Sequence, residues 1–75
     1  MIERFLQYSL EREQKIAVVL FMDGAMKKTN LRVTAIDETG AGFEALLPGR
    51  KRPVHFALSD VLTAAYARGD RGELE

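Results

Sequence analysis

The chain has 75 residues, no cysteine, a single histidine, and 11 basic against 11 acidic residues, so its formal net charge is zero. That length holds one domain, and the composition excludes disulfides, thiolate metal sites, cysteine nucleophiles and multi-histidine metal centres. Hydrophobic residues make up 47% of the sequence, which favours an ordered core over disorder, and a domain this small, with those staples ruled out, has oligomer contacts as its remaining source of extra stability.

Residues 2–14 predict an N-terminal helix. Ile2, Phe5, Leu6 and Leu10 form one apolar stripe at 3.6-residue spacing, with Glu3, Arg4, Gln7, Glu11 and Glu13 over the remaining surface. A helix of about three turns is marginal alone and must dock that stripe on another element.

Ile16 to Met22 is apolar throughout and predicts a strand covered on both faces. It is too short to span a bilayer, so no membrane partner is expected. Asp23-Gly24 then supplies a turn. A second strand over about 26–36 places Thr29, Leu31, Val33 and Ala35 on a dry face and Lys28, Asn30, Arg32 and Thr34 on a wet one. Residues 37–40 turn again, and 42–47 predict a third strand with Phe43, Ala45 and Leu47 inward.

Pro48 and Pro53 bracket a basic turn, Arg50-Lys51-Arg52, because proline donates no ladder hydrogen bond. A fourth strand follows over 54–58. Ser59-Asp60 reads as a tight turn, and residues 61–67 read as a short edge strand, with a helical turn as the alternative. Residues 68–75, charged and glycine-containing, predict a flexible tail.

The expected organisation is a helix over 2–14, a small β-barrel over 15–67 and a tail over 68–75. The fold class is mainly β with one N-terminal α-helix, its five strands forming a strongly bent antiparallel sheet or small barrel. Met1-Ile2-Glu3-Arg4 and the scattered charges after it do not read as an export leader, which makes the cytoplasm the expected location.

The candidate binding residues are basic. Lys27, Lys28 and Arg32 lie on the second strand and Arg50, Lys51 and Arg52 on a hairpin tip, where they would neutralise phosphates; lysines and arginines at such places also keep strand edges from aggregating. His55, beside the basic tip, would stack on a base or donate to a phosphate. Phe5, Phe21, Phe43 and Phe56 fall among apolar neighbours and are expected in the core. Tyr8 and Tyr66 cap its edge.

Asp23, Asp37, Glu38 and Asp60 sit in turns, which explains them without catalysis. No acid–base dyad, nucleophile with its base or phosphate-cradling glycine motif is present, so no enzyme activity, cofactor or metal is expected.

The order of elements, with Phe5-Leu6-Gln7 opening the helix and Val18-Val19-Leu20-Phe21-Met22-Asp23-Gly24 closing the first strand, resembles the Sm-like family of the bacterial Hfq type. Ile36-Asp37 and Val54-His55-Phe56-Ala57-Leu58-Ser59-Asp60-Val61 resemble its later motifs. Asn30 stands where that family has glycine, and His55-Phe56 stand where it has Lys-His.

The resemblance implies an SH3-like small barrel that closes into homo-oligomeric rings through its edge strands. It also implies binding of single-stranded RNA near Asp37 and the Arg50 to His55 segment. YolD-like proteins share the strand, Asp-Gly, strand, Ile-Asp pattern. WYL domains share the ending matched by Phe56, Leu58, Ser59 and Val61. Either would imply a non-catalytic module binding a protein partner or small ligand, with Leu46, Leu62 and Tyr66 as its exposed apolar patch.

Overall fold

The computed structural model describes residues 2–70. One helix, α1 (Ile2–Arg12), precedes five strands: β1 (Ile16–Met22), β2 (Ala25–Ile36), β3 (Gly42–Leu46), β4 (Val54–Ala57) and β5 (Val61–Tyr66). A single 3-10 turn, Leu58–Asp60, joins β4 to β5. The expected fold class is observed, but as an open five-stranded sheet of order β4-β3-β2-β1-β5, all neighbours antiparallel, rather than a closed barrel. The 3-10 turn links β4 to β5 without a ladder between them, so the sheet has two free edges among the described residues. Of the expected segment 61–67, Val61–Tyr66 is strand, and no described helix is long and apolar enough to cross a membrane.

The long strand β2 organises the sheet. Residues 25–31 pair with β1, and Arg32 to Ile36 pair with β3, so the strand changes partner at Leu31/Arg32. A bulge falls between Val33 and Ala35, where the hydroxyl of Thr34 donates to the Glu44 carbonyl at 3.3 Å. A bulge adds one unpaired residue and bends its strand. It also shifts the inward–outward alternation by one place. Ala35, expected on the dry face, is therefore exposed, while Ile36 packs against the core.

The core is the inner face of the bent sheet: Ile16, Val18 and Leu20 of β1, Leu31 and Val33 of β2, Phe43 and Ala45 of β3, with Phe56, Val61 and Leu6 around them. Strand β1 is not covered on both faces. Its burial alternates, and Phe21, expected in the core, is 46% exposed near the tip of the β1–β2 hairpin. There Asp23 and Gly24 have φ of 55° and 78°. Positive φ at both central residues fits the right-handed twist of the flanking strands.

Helix α1 ends at Arg12, two residues short of the expected boundary, because Glu13 turns into the left-handed region at φ 54°. Ser9, fully buried, fastens the helix to the sheet. Its hydroxyl accepts the Val33 amide at 2.9 Å and donates to the Gln14 carbonyl at 2.6 Å. Phe5 and Tyr8 both pack edge-on against Tyr66, with ring centroids 4.9 and 5.0 Å apart. Tyr66 thereby joins this aromatic cap rather than an exposed patch with Leu46 and Leu62.

The expected tail begins as structure. The Asp70 amide bonds the Ala67 carbonyl at 2.9 Å, and the Tyr8 hydroxyl donates to Asp70 at 2.7 Å. The remainder of that expected tail, residues 71–75, lies outside the described residues.

Candidate functional site

The loop after β2 and the strand β4 meet over Gly42. The Asp37 amide donates to the Gly42 carbonyl at 3.0 Å, and the Gly40 amide to the Asp37 carbonyl at 2.9 Å, so the loop is a closed turn with the Asp37 side chain held on the outer face. On β4, His55 alternates with buried Phe56 and also points outward, opposite Glu44 on β3. The His55 Nε2 and Asp37 Oδ2 lie 3.1 Å apart, with side chains 56% and 42% exposed.

Gly42 lies directly beneath them. A Cβ on residue 42 would stand 2.8 Å from both Asp37 Oδ2 and His55 Nε2. The arrangement presents a carboxylate acceptor, an imidazole and the nearby Glu44 carboxylate on one solvent-facing surface. Carboxylates of this kind accept from base amino groups, and an imidazole face stacks on bases.

The sequence-predicted basic residues do not converge on this pair. Arg50, Lys51 and Arg52 are exposed on the loop joining β3 to β4, next to the Ala45↔Val54 row, whereas Asp37 lies at the other end of the hairpin beside Gly42↔Ala57. His55 stands between, roughly 10 Å from the basic tip at the rise of a strand. Lys27 and Lys28 lie opposite Leu20 and Val19 on the part of β2 that pairs with β1, away from the part that pairs with β3. Arg32 is opposite Leu46, at the root of the basic loop.

Sequence reading brought together Asp37, His55 and the 50–52 loop, and placed the other cations only by strand. It missed Gly42 and Glu44. Gly42 carried a usable signal, being a glycine inside a predicted strand, which marks a close approach. It also missed Lys15 and Arg68, whose proximity to Arg32 depends on strand register.

Two further features bear on binding. Phe21 and Met26, 46% and 63% exposed, are direct cross-strand partners near the tip of the β1–β2 hairpin. An open cleft of about 570 Å³ lies at the end of the sheet near the C-terminus of α1. Among the described residues no group of three or more histidines or carboxylates is placed to hold a metal ion.

The chain matches no protein-family model, and no curated protein or solved structure is significantly similar to it.

Proposed function

We propose that this domain is a non-catalytic Sm-like module that associates with further copies of itself through its free sheet edges and binds single-stranded RNA or a related nucleic acid. The observation that carries the reading is the strand order β4-β3-β2-β1-β5, which leaves β4 and β5 as edge strands of one open sheet with a strand-swapping β2 between them. A free edge is a row of unpaired backbone donors and acceptors, and pairing β4 of one copy with β5 of the next satisfies both rows at once.

The nucleic-acid surface on this reading is the outer face of β3 and β4. Asp37, His55 and Glu44 address the bases there, and Arg50, Lys51 and Arg52 take the phosphates; Lys27, Lys28 and Arg32 lie on β2, outside that face. The zero net charge makes the local cluster decisive, since no general electrostatic attraction adds to it. Titration of a labelled oligouridine at two salt concentrations tests the site. The affinity is expected to fall with salt and to weaken at least tenfold when Arg50, Lys51 and Arg52 are changed together to glutamine. Binding indifferent to both counts against it.

A second reading, a protein-interaction module of the YolD-like or WYL-like type, is favoured by the exposed Phe21–Met26 pair, since adjacent apolar side chains on a hairpin tip suit a protein partner. It would show no oligouridine affinity above background at physiological salt.

A further inference from the structure

The register of the sheet gathers three cations that lie far apart in sequence. Ile16, at the start of β1, pairs with Leu31 on one side and Tyr66 on the other, so these residues form one row across β2, β1 and β5. The next position outward on each strand is Arg32, Lys15 and Ala67, with Arg68 following. Strands are about 4.8 Å apart, so the Arg32 and Ala67 backbones stand roughly 10 Å apart with Lys15 between them. Arg32, Lys15 and Arg68 all line the open cleft of about 570 Å³.

Hydrogen bonds close the backbone on both sides of the cleft. On one side the Gln14 amide bonds the Ser9 carbonyl at 3.3 Å, while the Ser9 hydroxyl bonds the Gln14 carbonyl at 2.6 Å. On the other, the Ala67–Asp70 turn is closed by its own 2.9 Å hydrogen bond and tied to Tyr8 through Asp70 at 2.7 Å. Among the described residues none of Lys15, Arg32 and Arg68 is ion-paired. Glu13 and Asp70 also line the cleft, leaving its lining with three cationic and two anionic side chains.

We propose that this cleft is a binding site for a small phosphate monoester of mononucleotide size, separate from the nucleic-acid surface on β3 and β4. Two arginine forks and an ammonium match the dianionic terminal phosphate, which accepts several charge-assisted hydrogen bonds at once. Of the two carboxylates, Asp70 is engaged by the Tyr8 hydroxyl, and Glu13 faces the sugar, where a hydroxyl group donates to it. The same carboxylates disfavour a continuous polyanion, whose phosphates would pass close to both. Of the cations proposed for nucleic acid, Arg32 belongs to this cleft by position.

The test is amide chemical-shift mapping with adenosine monophosphate, beside inorganic phosphate, adenosine and an oligouridine, at low salt. Adenosine monophosphate is expected to move the amides of Gln14, Lys15, Arg32 and Arg68, and to bind at least tenfold more tightly than adenosine. The Lys15→Gln/Arg68→Gln double variant changes only exposed residues. It should weaken that binding at least tenfold, while the Arg50, Lys51 and Arg52 triple variant should leave it unchanged.

Equal binding of inorganic phosphate and the nucleotide would overturn the monoester assignment. No shifts in these amides at millimolar nucleotide, or binding unaltered in the double variant, would overturn the site. Loss of oligouridine binding in the triple variant with nucleotide binding intact separates this site from the one on β3 and β4.

Discussion

His55 on β4 and Asp37 in the loop after β2 are joined side chain to side chain at 3.1 Å across the bare backbone of Gly42. The contact ties the short edge strand β4 to a loop two strands away. Both side chains are substantially exposed, so the pair contributes at most about 1 kcal/mol. Its value is positional, holding an imidazole and a carboxylate at a fixed spacing on one face.

That geometry makes Gly42→Ala informative. The added Cβ displaces only the ends of two flexible side chains, so stability should fall by less than about 1 kcal/mol. A double-mutant cycle on Asp37→Ala and His55→Ala should give a measurable coupling in the Gly42 background and none in the Gly42→Ala background. Coupling retained in the alanine background contradicts the close approach.

Ser9 offers a stronger test of the fold. Changing Ser9 to alanine removes the acceptor of the buried Val33 amide and the donor to the Gln14 carbonyl. A buried, unsatisfied amide costs about 1–3 kcal/mol, and urea denaturation should show a loss in that range. A change below about 0.5 kcal/mol would mean that α1 is not fastened to β2 in this way.

The phenylalanines should divide sharply. Phe43 is wholly buried and stacks near Phe56 at a 5.6 Å centroid distance, so Phe43→Ala should cost about 3–5 kcal/mol and leave little folded protein. Phe21→Ala, on the exposed hairpin, should cost less than about 1 kcal/mol. Comparable losses at the two positions would place Phe21 in a core.

Tyr8 gives a prediction in pH. Its hydrogen bond to Asp70 raises the phenol above its ordinary pKa, with burial and the charge of Asp70 acting in the same direction. The unfolded phenol ionises near pH 10. The stabilisation is therefore fully present below that pH and is lost as pH rises through the higher folded value. The stability difference between the native chain and Tyr8→Phe should be constant up to about pH 9 and shrink at more alkaline pH. A difference that grows there contradicts the direction of the shift.

Much of the fold was legible because hydrophobic period and turn chemistry are local. The stripe Ile2, Phe5, Leu6, Leu10 marks α1, and Asp23-Gly24 marks the first hairpin. The alternation of Phe43, Ala45 and Leu47 marks β3, whose observed end is Leu46. What escaped depends on pairing. The bulge at Thr34 reverses Ala35 and Ile36, and no composition signal announces which residue a ladder will skip.

Phe21 looked buried because its neighbours are apolar, yet it falls on the outward alternation of β1, one residue past the last that pairs with β5. The Asp37–His55 contact spans two hairpins. The cluster of Lys15, Arg32 and Arg68 exists only once Ile16 is set opposite both Leu31 and Tyr66. Composition points to neither contact.

The most direct test of the central claim is the native mass, measured by size exclusion with light scattering over a range of protein concentrations. Pairing of β4 with β5 between copies predicts one closed oligomer of several chains, its mass constant across concentration and well above the 8.4 kDa of a single chain. A monomer at every concentration would contradict edge-to-edge assembly and leave the interaction-module reading in its place.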